Sequence, residues 1–302
     1  MNKLRMFLIP GLIILLSLSF GFAANPEEKV EQTFKAKSQV RIKLVLGECY
    51  IKASTDKQIH VNLIHSYDSD EFEPIFREKE TSLLIQEKFH GHNPEGSSTW
   101  TIELPQDTKV DFESATGNLI ITGWQGEIEG NTGTGDIEVK DAKGDLKLNT
   151  GTGSIEVRDS QGEFDLNSGT GNVKMESSGG NFKANSGTGA VNAVDITFLE
   201  EGEFNCGTGK CKVVKPQGTD FELSINSGTS DALLDLQGMP VEGYFEFTAH
   251  ARRGSIECPV KFDEEKDYQD GDSHYYRKSF TRGKRSPRFY ISTGTGTAEL
   301  KK

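Results

Sequence analysis

The chain has 302 residues, 46 acidic against 34 basic side chains, and a formal charge of −12. That charge argues against nucleic acid and against anionic lipid as partners, since both would repel the chain. It suits a soluble, extended protein with polar faces.

Met1 to Ala23 reads as an export leader. Lys3 and Arg5 make a charged start, Phe7 to Phe22 an apolar run, and Gly21-Phe22-Ala23 a small-x-small cleavage site. The alternative is an uncleaved anchor, because the run is nearly long enough to span a bilayer. Pro10, Gly11 and the small residues before Asn25 favour cleavage, and no cysteine marks a lipoprotein junction. Export predicts a periplasmic, secreted or outer-surface location. No later stretch is apolar enough to cross a membrane as a helix.

Residues 24–112 read as strands without a clean repeat, forming opening coils and a cap. Val40-Arg-Ile-Lys-Leu-Val-Leu46 alternates at its start, and Gly47-Glu-Cys-Tyr-Ile51 has the form of a repeat rung. Ile59 to Leu63, Ser82 to Ile85 and Trp100 to Leu104 are further strands. A cap is required because an open sheet end templates aggregation.

Residues 113–230 repeat one phrase. Asn131-Thr-Gly-Thr-Gly-Asp-Ile-Glu-Val139 is followed by Asn149-Thr-Gly-Thr-Gly-Ser-Ile-Glu-Val157, then by counterparts at Asn167 and Asn185. The period is about 18 residues, the mark of a repeat architecture. Each frame holds two alternating runs, such as Ile137/Val139 and Leu146/Leu148, and alternation with period two means half-buried strands. Gly-Thr-Gly and Lys143-Gly144 read as the reversals between them. One frame cannot bury its own apolar side, so frames must stack about 4.8 Å apart.

Stacking predicts inward columns Ile137–Ile155–Val173–Val191 and Val139–Val157–Met175–Ala193. From the facing wall come Leu146–Phe164–Phe182–Phe204 and Leu148–Leu166–Ala184. At one turn, Thr132, Thr150, Ser168 and Ser186 form a hydroxyl column. Asn131, Asn149, Asn167, Asn185, Asn205 and Asn226 form an amide column able to hydrogen-bond rung to rung. The last two periods are longer, with extra residues near Thr197–Glu201 and Pro216–Thr219.

Residues 231–302 loosen again. The stretch 263–287 is acidic first and basic second, which suits a hairpin pairing with itself. Phe289 to Leu300 then returns as one more rung, at the terminus. The whole of 24–302 is expected to be one continuous domain: an all-β, single-chain parallel β-solenoid with two or more strands per coil.

Glycine-bounded rungs of the form Gly133-Thr-Gly-Asp-Ile137, Gly151-Thr-Gly-Ser-Ile155 and Gly169-Thr-Gly-Asn-Val173, with the strand-then-proline lead-in Trp100-Thr-Ile-Glu-Leu-Pro105, resemble the bacterial DUF4097 family of β-strand repeat proteins. The resemblance covers about Phe34 to Leu300. It implies the solenoid architecture and brings no catalytic residues with it. That family often carries the label "putative adhesin", which implies an exported binding scaffold.

No catalytic constellation, cofactor site or metal site stands out. Calcium-binding β-rolls share a short glycine-rich repeat, but here their aspartate position holds Ile137, Ile155, Val173 or Val191. The residue after each Gly-Thr-Gly varies (Asp136, Ser154, Asn172, Ala190, Lys210) and cannot supply the six oxygens a hard cation takes. His90-Gly-His92 lacks supporting ligands. His60 and His65 fall on opposite sides of their strand.

The remaining candidate is a disulfide. Cys206 takes a Thr132-type position and Cys211 an Ile137-type position, so if both point inward they face each other across one turn; export permits the bond. Cys49 and Cys258 read as small buried hydrophobes. The sequence therefore predicts a non-enzymatic envelope or secreted scaffold with an unidentified protein or glycan partner and no cofactor. The alternative is a glycan-acting enzyme on the same scaffold. A groove of clustered acids and aromatics would favour the enzyme, and uniform mixed-charge faces the binder.

Overall fold

A computed structural model describes residues 27–91 and 94–302. The leader read over Met1–Ala23 and one of the paired histidines, His92, lie outside the described residues. Among those residues there is no helix, and the strands form one sheet of 13 and one of 14.

Seven strands precede the repeat: β1 (Glu28–Lys35), β2 (Gln39–Leu44), β3 (Glu48–Ala53), β4 (Gln58–His65), β5 (Phe72–Glu78), β6 (Ser82–Phe89) and β7 (Ser98–Leu104). The repeat supplies β8 (Lys109–Thr116), β9 (Leu119–Thr122), β10 (Ile128–Thr134), β11 (Ile137–Lys140), β12 (Lys143–Thr152), β13 (Ile155–Arg158) and β14 (Gln161–Ser168). It continues through β15 (Val173–Glu176), β16 (Gly179–Ser186), β17 (Val191–Val194), β18 (Thr197–Cys206), β19 (Cys211–Val214), β20 (Glu222–Ser227) and β21 (Ala232–Asp235). Six more follow: β22 (Gly243–His250), β23 (Ser255–Glu257), β24 (Glu264–Asp270), β25 (Ser273–Arg282), β26 (Arg288–Thr293) and β27 (Thr297–Lys301).

In the repeat, even strands build one sheet and odd strands the other, all parallel. Ile137 lies beside Ile155, Ile155 beside Val173, and Val173 beside Val191. Val139, Val157, Met175 and Ala193 stack in the same way. These side chains are essentially inaccessible to water, and burying a Val or Ile contributes about 1.5–3 kcal/mol each. The core is therefore a dry seam between two sheets.

The Phe204 column needs correction. The two extra residues fall inside β18, where the register slips, so Gly202 lies beside Phe182 and Phe204 beside Ala184. Phe198 fills the space that Gly202 leaves, edge-on to Phe182 at 5.8 Å and to Phe204 at 6.0 Å. A spine of aromatic contacts then runs from Phe198 to Phe221, Phe289, Phe245 and Phe280.

The second reversal also lies earlier than expected. Gly144 sits within β12, and the chain turns at Asp141, whose φ is 54°, and at its counterparts Asp159 (51°), Ser177 (50°) and Asp195 (54°). Short polar side chains tolerate that left-handed geometry. Gly144 still takes a backbone angle that favours glycine, with φ 128°, and a Cβ there would stand 2.2 Å from the Gly126 carbonyl oxygen of the rung below.

At both ends the spatial order departs from the chain order. The β2–β3 rung sits between β8–β9 on one side and the later β6–β7 on the other. The β26–β27 rung, last in the chain, lies between β20–β21 and β22–β23. Parallel pairing along both neighbours satisfies two edges at once, which a rung at the end of the stack could not do.

Beyond these rungs the sheets finish on β1, β5, β23 and β24. Each is a poor template. β1 is charged, β5 contains Pro74, β23 has three residues, and β24 is charged and exposed throughout. The hairpin expected from the split charges is present as β24 antiparallel to β25.

Candidate functional site

Alternation turns every second repeat residue outward, so the solvent faces are columns too. On the odd-strand face Lys174 bridges Glu156 at 2.9 Å and Glu176 at 3.3 Å, and Arg158 also bonds Glu156. Although partial burial works against it, these cations hold the Glu156 carboxyl below the usual carboxylate range. On the even-strand face Lys147 meets Glu129 at 3.1 Å. These columns carry both signs, and single exposed pairs of this kind contribute up to about 1 kcal/mol.

The turn columns are occupied by the stack itself. Asn149, Asn167, Asn185, Asn205 and Asn226 each donate from Nδ2 to Oδ1 of the asparagine one rung below, over 2.7–3.0 Å. Ser292, from the inserted β26, extends the ladder onto Asn226. Thr150, Ser168 and Ser186 donate to the carbonyls of Gly135, Gly153 and Gly171. The residues after Gly-Thr-Gly clamp the next turn: Asp136 Oδ1 accepts from the Ser154 amide at 2.7 Å, and Asn172 Oδ1 from that of Ala190. These oxygens hold backbone, and among the described residues no cluster of acids, histidines and cysteines has the geometry of a metal site.

Cys206 and Cys211 both point inward and are buried, as are Cys49 and, in part, Cys258; all four are thiols. A hydrogen bond from Cys211 pulls the Cys206 thiol pKa down, while burial pushes that of Cys211 up. His60 faces solvent beside Asp56 at 3.1 Å, and His65 is buried against Phe72. His90 lies 3.2 Å from Glu73 in an exposed pair.

Two features were missed in the sequence. The first is Glu87, only 2% exposed, which accepts from the amides of Val45 and Leu46, the Ser98 hydroxyl and the Trp100 indole at 2.6–2.9 Å. It fastens the turn of the β2–β3 rung to the neighbouring β6–β7. Leu83 and Ile85 point inward, so period two already placed Glu87 there.

The second is an aromatic end to the even-strand face. Tyr290 of β26 and Tyr244 of β22 stand outward, with ring centroids 6.1 Å apart, and Tyr244 donates to Glu246 at 2.7 Å. On the adjoining hairpin Tyr268 and Tyr275 stack at 5.5 Å. Arg285 lies over the Tyr244 ring at 5.5 Å and Arg277 over Tyr268 at 5.7 Å. The outward positions of the central repeat carry no aromatic.

Among protein families, the model described as Toastrack DUF4097 matches residues 41–242. No curated protein matches the chain. Solved structures similar to it include one described as a "putative adhesin" from Parabacteroides merdae ATCC 43184, at 12% identity over 69% of this chain and 88% of that one, with a TM-score of 0.42. A second so described, from Parabacteroides distasonis ATCC 8503, is 10% identical over 91% and 97%, with a TM-score of 0.40. A third, from the same strain and described as a "putative lipid binding protein", is 10% identical over 91% and 96%, with a TM-score of 0.30.

Proposed function

The chain belongs to the Toastrack DUF4097 family, whose model spans residues 41–242, and from that premise we propose that it is an exported, non-enzymatic scaffold. It works in the cell envelope or outside the cell and holds an extracellular protein or glycan on its outer faces. The observation that carries this reading is how the repeat divides its side chains. Turn oxygens and amides are bonded within the stack, while two long sheets turn ionic and polar residues to solvent. A rigid flat face of that kind suits presentation and contact. The leader read at Met1–Ala23 supports export. We take 24–302 as one continuous unit, supported by a core that runs from Val40 to Leu300.

The test is incubation of the purified protein with a panel of cell-wall and polysaccharide fractions, read for retention and for sugar release. Retention without release is expected. Release of soluble sugar would replace the scaffold with the glycan-acting enzyme.

Export would also allow Cys206 and Cys211 to join. A dithiol–disulfide oxidant would accept two electrons and the two thiol protons, leaving one S–S bond across the turn. The Cys206 thiol, whose pKa is lowered, is the attacking group. Thiol titration of native protein from an oxidising compartment should count two of the four cysteines after unfolding without reductant. A count of four would reject the bond.

A further inference from the structure

We propose that the outward tyrosine–arginine surface of β22, β24, β25 and β26 is the binding face for an extended, carboxylate-bearing polysaccharide. This rests on the scaffold reading and names its site and its class of partner. Tyr290 and Tyr244 are half-buried at their bases, with outward rings fixed in a sheet. Arg285 lies over one face of the Tyr244 ring, so the flat apolar surface for the C–H face of a sugar is offered chiefly by Tyr290, at little conformational cost. Glu246 already accepts from Tyr244 and leaves acceptor capacity for a sugar hydroxyl.

The face also carries Glu246, Glu264 and Asp270, and the whole chain is at −12, so an acidic glycan is favoured by the two unpaired arginines at their own positions, against the overall charge. Arg277 and Arg285 lie on tyrosine rings, and among the described residues neither is found in a salt bridge or a side-chain hydrogen bond. A guanidinium stacked in this way keeps its N–H edge free for bidentate contact with a carboxylate. Arg277 lies four residues along β25 from Thr281, the partner of Tyr244, or about 13 Å along the strand. The two cationic sites are thus separated along a flat surface, which suits a polymer better than a small molecule, since the latter needs a concave pocket.

A polysaccharide also fits better than a folded protein. The outward residues of β22 and β26 are Tyr244, Glu246, Thr248, Arg288, Tyr290 and Ser292, without one aliphatic side chain. Protein interfaces centre on a desolvated apolar core. This surface offers aromatic rings, hydroxyls and charge instead.

The experiment is affinity electrophoresis of the protein through gels containing polygalacturonate, its fully methyl-esterified form or polyglutamate. Polygalacturonate should retard the protein. Methyl esterification, Tyr244→Ala with Tyr290→Ala, and Arg277→Gln with Arg285→Gln should each weaken retardation about tenfold or more, as loss of central aromatic or arginine anchors does. The arginine variants alter exposed side chains, so they also answer for any misfolding of the tyrosine pair. Lys147→Gln with Lys183→Gln, on the central face, should change nothing. Equal retention by polyglutamate, or equal weakening by the central and patch variants, would reduce the effect to net charge and overturn the proposal. If polygalacturonate fails to bind while another panel member does, this assignment falls and the scaffold reading stands.

Discussion

The middle of the solenoid and its two ends obey different rules. In the middle, each rung lies on the one before it in sequence, and the contacts of one rung predict those of the next. At the ends, a rung from another part of the chain is laid between sequence neighbours: β2–β3 between β6–β7 and β8–β9, and β26–β27 between β20–β21 and β22–β23. The middle is stabilised by repetition, with identical turns, an amide ladder and stacked apolar columns. The ends rely on particular side chains such as Glu87 and the phenylalanine spine. Repetition needs only local pairing, but a stack has two exposed edges, and covering them calls for residues that occur once.

Six substitutions probe this contrast, and the largest effect is expected in the middle. Gly153 has φ 148°, and a Cβ there would stand 2.1 Å from the Gly135 oxygen. Gly153→Val should remove about 4 kcal/mol or more and loosen the rungs on both sides. Gly151→Val, at 2.7 Å from the Gly133 oxygen, should do less damage. Thermal melting checks both, and an unaltered midpoint for Gly153→Val would contradict the stacked backbone.

Glu87→Leu comes next. It removes the acceptor shared by the Val45 and Leu46 amides, the Ser98 hydroxyl and the Trp100 indole; Ser98 keeps the Leu46 carbonyl, the buried indole is left without a partner, and about 3 kcal/mol of stability should go. Amide hydrogen exchange should then accelerate in β2, β3, β6 and β7 while the repeat stays protected. Uniform acceleration would mean that the ends and the middle unfold as one.

Asn167→Ala interrupts the ladder where a residue both donates and accepts, and should cost about 1 kcal/mol. Asn131→Ala removes one ladder bond and should cost roughly half as much. Chemical denaturation of the two variants side by side compares them, and equal losses would mean that the second ladder bond of Asn167 contributes nothing.

The smallest effect is a pH dependence confined to one end. Burial pulls the His65 pKa below its ordinary 6.5, against the opposing influence of Glu28 and Glu87. Its neutral form is favoured in the folded state, so its contribution is complete above pH 6.5 and is lost as pH falls through the lowered value. Melting curves between pH 7 and pH 5 should show a decline that His65→Phe flattens.

Much of the middle was legible in advance, because period and alternation are local properties of the chain. The columns through Ile137 and Val139, the asparagine ladder and the hydroxyl column all follow from them. Phe204 was misplaced because its register depends on Phe198, a side chain inside an insertion, and spacing carries no record of which ring fills a gap. The reversal assigned to Gly144 lies at Asp141 because an aspartate can turn the chain as well as a glycine can. The rungs at Gly47–Ile51 and Phe289–Leu300 were recognisable as rungs, but their places were not, since pairing order at the ends is a long-range choice. The outward tyrosines were readable one strand at a time, from Phe289-Tyr290-Ile291 and Tyr244-Phe245-Glu246. What the sequence withheld was that those two strands are neighbours.

The late insertion of β26–β27 bears on biosynthesis. A chain emerging N-terminus first can lay down its repeat progressively, but β20–β21 and β22–β23 must wait for residues 288–301 before the seam between them closes. Any product that stops short of that point carries two raw edges in the body of the rod, open to proteases and to pairing with other chains.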